Sequence, residues 1–186
     1  HPMSSIEPKT LTDPTGQQFT IRTAQPADAA GALTYIRSVA EKTEYFVIQT
    51  DEFPPTIEEE RTWIQDHLDH PGKIILLAEA DGTIIGSVTF EAGNFRRVSH
   101  RGNLGLAVVR EWRGRGVGTA LLRALLKWAE SSPAIEKVCL DVFAINEPAI
   151  RLYKKLGFIE EGRRARDIKR GPDDYVDTVM MYRFLK

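Results

Sequence analysis

The sequence predicts an α/β protein, a mixed sheet with helices packed on it, and three observations carry that expectation. Apolar, β-branched runs alternate with stretches of helical periodicity in the order β α α β β β α β α β β. Two of the runs, 73–80 and 83–90, are separated only by Asp81-Gly82, a strong hairpin signal. The run from Leu104 to Val109 stops at charged residues and crosses three alternating glycines, Gly114, Gly116 and Gly118. A helical pattern then begins at once.

Taken in order, residues 1–18 hold Pro8, Pro14, Gly16 and many Ser and Thr, and read as a flexible arm. His1-Pro2 looks like the remnant of a tag ahead of Met3. Residues 19–186 read as one domain. Phe19 to Thr23 alternates as a short strand, and Ala29, Leu33, Ile36, Val39 and Ala40 give 27–42 a helical face. Tyr45 to Pro55 is irregular, punctuated by Pro54-Pro55. Thr56-Ile57-Glu58-Glu59 matches a capping box, opening a helix to about Leu68 that Asp69-His70-Pro71-Gly72 ends.

After the hairpin, a turn at Gly93-Asn94 leads to the strand near 103–109. Val117, Leu121, Leu125 and Trp128 then recur at helical spacing, beside Leu122, Leu126 and Ala129, until Ser131-Ser132-Pro133. Lys137 to Phe143 is another strand. Asn146-Glu147-Pro148 opens a helix, since Asn caps well and Pro is tolerated in the first turn. Leu156-Gly157 ends it, with glycine where a left-handed cap is wanted. Phe158 to about Arg166 and Tyr175 to Phe184 close the chain as strands around Gly171-Pro172-Asp173-Asp174.

Hydrophobic content of 42% and charged content of 27% suit an ordinary globular protein, and no apolar run approaches the ~18 residues of a membrane span. The single Cys139 lies in an apolar run and reads as a buried, inert thiol; without internal disulfides the expected compartment is the cytoplasm. A net charge of −1 argues against general nucleic-acid binding. The charges are uneven all the same: Arg96, Arg97, Arg101, Arg110, Arg113 and Arg115 crowd the middle around the glycines, and Arg163, Arg164, Arg166, Lys169 and Arg170 form a second basic stretch.

A strand feeding a glycine turn into a helix start offers unpaired N–H donors and a partial positive charge, which suit a phosphate. Two phosphate loops fail here. No Lys-Ser or Lys-Thr follows the glycines as a P-loop requires, and Thr119 stands where the third glycine of a dinucleotide fingerprint belongs. The pattern [QR]-x-x-G-x-[GA] does match, through Arg113, Gly116 and Gly118. It resembles the pyrophosphate loop of the GNAT superfamily, the acetyl-CoA-dependent N-acetyltransferases; the other reading is a turn that binds nothing. Asn146-Glu147-Pro148-Ala149-Ile150-Arg151-Leu152-Tyr153-Lys154-Lys155-Leu156-Gly157-Phe158 looks like the N-x-x-A-x-x-[LF]-Y-x-x-x-G-F segment of many such enzymes. The close resemblance covers roughly residues 73–183, and the region before it matches only in outline.

The resemblance implies a central, mostly antiparallel sheet of about seven strands flanked by about four helices. It also implies acetyl-CoA as the acetyl donor, no metal, and a small-molecule or peptide amine as partner, with no nucleic acid, no membrane and room for a homodimer. It implies that backbone groups of Leu106, Ala107 and Val108 pair with the pantetheine arm where two strands splay. Gly114, Arg115, Gly116, Val117, Gly118 and Thr119 would hold the pyrophosphate, with the Arg113 and Arg115 side chains nearby. Asn146 would reach the cofactor, a role compatible with a pure N-cap. Tyr153, two helical turns beyond Asn146 on the same face, would be the general acid; an unperturbed phenol, with a pKa of ~10, keeps its proton at pH 7. The alternative is a packed aromatic. Asp141, Glu91 and His100 are the candidate bases, and a water chain is the alternative to all three.

Within the superfamily, Arg96-Arg97-Val98-Ser99-His100 and Gly171-Pro172-Asp173-Asp174-Tyr175-Val176-Asp177 resemble a bacterial branch acetylating free L-amino acids. Arg96 or Arg97 would clamp the substrate carboxylate, with His100 near it. The rival acceptors are a protein N-terminus, as in ribosomal-protein acetyltransferases, or a polyamine. A non-catalytic acyl-CoA-binding module is the alternative of a different class, and nucleic-acid binding the weakest.

Overall fold

A computed structural model describes residues 4–52 and 55–186. The tag-like start and Pro54 lie outside the described residues. Twelve regular elements follow one another: β1 (Lys9–Thr12), β2 (Gln18–Thr23), α1 (Ala29–Lys42), α2 (Ile57–Asp69), β3 (Lys73–Ala80), β4 (Thr83–Ala92), β5 (Arg101–Val108), α3 (Val117–Ser131), β6 (Lys137–Phe143), α4 (Glu147–Lys155), β7 (Ile159–Gly171) and β8 (Asp174–Phe184). The strands form one eight-stranded sheet in the order β1-β2-β3-β4-β5-β6-β8-β7. Every pairing is antiparallel except β5 with β6.

The strand beyond the expected seven is β1, inside the stretch read as a flexible arm. Lys9 to Thr12 pairs with Ile21 to Gln18, and the Thr10 and Thr20 hydroxyls meet at 2.9 Å. Four residues with no buried member carry too little alternation to be read as a strand. The turn between β1 and β2 supplies the order: Asp13 Oδ1 accepts from the N–H groups of Thr15 and Gln17 and from the Thr15 hydroxyl, while Gly16 sits at φ 90°.

Local chemistry sets the other boundaries. Asp81 and Gly82 both take positive φ, 49° and 74°, as the two-residue hairpin turn requires. The Thr56 hydroxyl accepts from the Glu59 N–H at 3.2 Å, and the Glu59 carboxylate accepts from the Thr56 N–H at 2.7 Å, completing the box that starts α2. Asn146 Oδ1 accepts from the Ala149 N–H at 3.3 Å, and Gly157 ends α4 at φ 88°.

The sheet divides two apolar cores. On one face α3 buries Leu121, Leu122, Leu125 and Ala129 against Ile74, Leu76, Val88 and Phe90, and α4 adds Tyr153 to the same core. On the other, α1 and α2 bury Ala32, Tyr35, Val39, Ile64 and Leu68 against Ile75, Leu77 and Ile84. Cys139 is buried, and burial pushes its thiol pKa up, so it stays protonated and inert. Among the described residues no helix is long and apolar enough to cross a membrane.

One junction positions everything that follows. The parallel pairing of β5 with β6 covers only Arg101 to Asn103, opposite Lys137 to Cys139, and stops there. Beside that junction Gly102 lets β5 lie close on β4: a Cβ on it would stand 2.4 Å from both the Glu91 carbonyl oxygen and Phe90 Cζ. Backbone cannot yield as a flexible side chain can. Gly102→Ala is therefore expected to lose about 1–3 kcal/mol of stability by overpacking, read as a lower denaturant midpoint at unchanged m-value; an unchanged midpoint would contradict the close approach.

Candidate active site

Beyond Asn103, β5 keeps its antiparallel partner β4 and has no strand on its other side. The Val109 N–H bonds to the Ile85 carbonyl at 2.9 Å, which marks that pair as exchanging ladder bonds. In an antiparallel ladder such pairs alternate. With the register Ser87↔Ala107 and Thr89↔Gly105, residues 105, 107 and 109 spend their backbone groups on β4, while those of Leu104, Leu106 and Val108 face the gap. Of the three positions expected to offer backbone groups, Leu106 and Val108 do so. Ala107 does not: its N–H is turned to β4, and its carbonyl also accepts from the Tyr35 hydroxyl at 2.9 Å.

The free edge runs into the glycine loop. Gly114 and Gly116 hold φ of 70° and 89°, and a Cβ on either would meet nothing within 4 Å. Gly116 caps α3 with no side chain, so the first N–H groups of the helix, from Val117 to Thr119, have no capping acceptor. The Val117 side chain is buried in the core. Arg113 lies along the gap, its Nε donating to the Val108 carbonyl at 3.2 Å. The Arg115 side chain turns the other way, onto Trp112 and Asp13.

A cavity of ≈ 390 Å³ follows this path, lined by Leu106, Val108, Arg113, Gly114, Gly116, Gly118, Thr119, Asn146 and Tyr153. A second chamber of ≈ 410 Å³ adjoins it, sharing Tyr45, Phe46, Leu106, Ala107, Asn146 and Tyr153. Tyr153 thus stands where the chambers meet. It is 5% exposed, its ring packs edge-on against Phe158, and its hydroxyl makes no hydrogen bond among the described residues. Burial drives its pKa upward, so the proton stays on at neutral pH. Asn146 lines both chambers while capping α4.

The second chamber carries the charges. Asp141 lies in it, ion-paired to Arg164 at 2.6 Å, and Arg164 also holds Asp167 at 3.1 Å. Both aspartates, through hydrogen bonds first and charge second, raise the pKa of Arg164. Beyond this chamber, past the shared Ile36, Phe46, Ile48, Ser87 and Thr89, lies an apolar recess of ≈ 530 Å³ between α1, α2 and the sheet, walled further by Leu33, Trp63, Ile64 and Leu77. Glu60 is at its rim, its pKa raised by burial.

Six expected site residues do not line these chambers, Arg115 and Val117 of the loop among them. Glu91, on β4, stands 2.9 Å from His67 Nε2, beside a separate surface depression. The His100 carbonyl accepts from the Glu136 and Lys137 N–H groups, at the far end of the β5–β6 junction. Arg96 and Arg97 are exposed on the turn before β5. The second chamber is walled instead by the segment after α1 (Tyr45, Phe46) and by Arg164 and Asp167 on β7. Arg164 sat within the basic stretch visible in the sequence, but only the β6–β8 and β7–β8 pairings together bring it to Asp141. No group of three or more His, Cys, Asp or Glu able to hold a metal occurs among the described residues.

This geometry agrees with the chain's likenesses to known proteins. Residues 40–158 match the model of the Acetyltransferase (GNAT) family. The L-amino acid N-acetyltransferase AaaT of Escherichia coli is 35% identical over 121 residues, 65% of this chain and 74% of that one. The crystal structure of a GNAT-family acetyltransferase from Streptococcus pneumoniae superimposes with a TM-score of 0.87 at 28% identity, covering 90% of this chain and 99% of that one. An acetyltransferase structure from Salmonella typhimurium containing acetyl-CoA shares the fold, with a TM-score of 0.79 at 21% identity over 90% and 94% of the two chains.

Proposed function

The chain belongs to the acetyltransferase (GNAT) family, whose members are acetyl-CoA-dependent N-acetyltransferases, and we propose that it acetylates the α-amine of a free L-amino acid by direct attack in a ternary complex. The observation that carries the reading is the free backbone edge of β5 leading into the uncapped start of α3, with Tyr153 buried beside it. An extended arm bearing amides and ending in a diphosphate matches that track in order. Leu106 and Val108 pair with the amides as an added strand does, and the N–H groups of 114–119 take the diphosphate.

Acetyl-CoA supplies the activated acetyl group as a thioester; the remaining tasks fall to this chain. The Leu106 N–H donates to the carbonyl oxygen as charge grows there. The amine lone pair bonds to the thioester carbon as the C–S bond breaks; Tyr153 gives its proton to the departing sulfur and regains one as the new amide nitrogen loses its second proton. Burial raises the phenol's pKa, but the same apolar walls destabilise a thiolate beside it, so the proton is not held back on one side only. Asp141, at the open mouth of the second chamber, receives the ammonium and passes its surplus proton to solvent.

The choice of a free amino acid rests on the second chamber. Two carboxylates and one guanidinium stand side by side there, offering each end of a zwitterion its opposite charge. A polyamine brings positive charge alone. Arg164 thus takes the carboxylate role that the sequence suggested for Arg96 or Arg97. The apolar recess beyond it suits a branched or aromatic side chain, whose burial contributes about 1.5–3 kcal/mol.

Free-CoA release across amino acids, their amides, an alanine-ended peptide and spermidine tests this. L-leucine, L-methionine and L-phenylalanine should exceed L-aspartate and L-lysine in kcat/KM by roughly 10- to 100-fold, and the acids should exceed their amides. Preference for the peptide or spermidine would reject the amino-acid reading. Tyr153→Phe keeps the ring and removes only an unbonded hydroxyl, so stability and acetyl-CoA affinity should hold while kcat falls by ~10²-fold. Full kcat under conditions where chemistry limits the rate would return Tyr153 to a packing role.

A further inference from the structure

Arg115 lies between the two left-handed glycines of the loop, yet its guanidinium is spent elsewhere. We infer that Asp13 and Arg115 form a clamp that sets the shape of the 114–119 loop, so that the β1–β2 hairpin, outside the cavity, controls how tightly the acetyl donor is held. The inference rests on reading that loop as the diphosphate site.

The guanidinium is fastened on every side. It lies 3.8 Å above the Trp112 ring, donates from Nε to Asp13 Oδ2 at 2.6 Å, and donates from Nη2 to Gln17 Oε1 at 2.8 Å. Weaker bonds reach the Thr15 hydroxyl at 3.4 Å and the Glu111 carbonyl at 3.3 Å. Trp112 is itself buried, edge-on to Phe19 of β2. The Asp13 side chain has no solvent exposure, and its other oxygen already organises its own turn. An enclosed carboxylate requires a cation, and this one finds it 102 residues away in sequence.

The loop needs such a fastening. Gly114 and Gly116 place no side chain against anything, and Gly116 gives α3 no side-chain cap. A segment of this kind is free to sample many conformations, and each one lost on binding weakens affinity. An anchor from behind fixes the loop while leaving its N–H groups unobstructed. A guanidinium that instead reached into the cavity would have to leave the enclosed carboxylate unpaired.

The anchor persists at any working pH. Burial acts to raise the Asp13 pKa, but hydrogen bonds from Thr15, Arg115 and Gln17 outweigh it and hold the pKa at about 2. With the folded value below the unfolded one of about 3.9, its stabilisation is fully present above pH ~4 and is lost as pH falls through about 2.

Asp13→Asn separates the two roles of Arg115. The amide oxygen still serves the turn, while the charge and the acceptor facing Arg115 are lost. The clamp predicts a dissociation constant for acetyl-CoA, measured by calorimetry, about tenfold higher. KM for acetyl-CoA should rise in step, with kcat at saturation and KM for the amine within about twofold. Direct grip of the diphosphate by Arg115 predicts the reverse, because the variant would free the guanidinium; equal or tighter binding overturns the clamp. Gln17→Leu removes one neutral acceptor and keeps the ion pair, and should weaken binding about two- to threefold. If Asp13→Asn does not fold, unchanged or tighter binding by Gln17→Leu overturns the clamp in its place. A wild type that binds no acetyl-CoA overturns both the loop reading and the clamp; wild-type binding with undiminished variant binding overturns the clamp alone.

Discussion

A strand that loses its partner halfway along leaves backbone donors and acceptors that must find another one. In this protein β5 and β6 pair for three residues and then follow different neighbours, β5 staying with β4 and β6 with β8. The sheet is thereby divided into β1–β5 and β6–β8–β7, joined at one short parallel junction. An unpaired backbone group sealed from water costs about 1–3 kcal/mol, so the gap has to be wet or filled by a ligand with matching amides. That requirement explains why the edge, the loop at its end and the aromatic hydroxyl beside it form one continuous cavity.

The surrounding packing keeps this gap from closing. Core on both faces of the sheet holds β5 against β4, and Gly102 lets the two lie close at the base of the split. Tyr35 reaches from α1 to the Ala107 carbonyl, its hydroxyl also shared with Ser87, tying the strand to the side away from the gap. On the other side, α4 packs Tyr153 against Phe158 at the mouth of the split. The same residues that stabilise the fold therefore aim the backbone, and in the proposed reaction few side chains add the substrate chemistry: Tyr153, Asp141, Arg164 and Asp167.

How much of this was legible depended on how local each cause was. The loop could be read because left-handed glycines and a helix start leave a mark within seven residues, and α4 because its cap, proline and terminal glycine all agree. Tyr153 was singled out by the family resemblance, and the helical repeat put it on the face of Asn146. The second chamber was not legible: Tyr45 and Phe46 lie in an irregular segment, and Arg164 meets Asp141 only through two strand pairings. Glu91 was named from its place near the end of a strand, which does not give its distance from the gap. For Arg115 the glycines suggested a phosphate, while its actual partner was hidden in a stretch that composition described as an arm.

The central claim is that the β5 edge beyond Asn103 is the seat of the acetyl donor. Residue-resolved amide hydrogen exchange, with and without CoA, tests it most directly. Leu106 and Val108 should gain protection on adding CoA, together with Val117, Gly118 and Thr119, while the amides of Gly105 and Ala107, already bonded to β4, should not change. CoA binding that leaves Leu106 and Val108 exchanging as before would contradict the account.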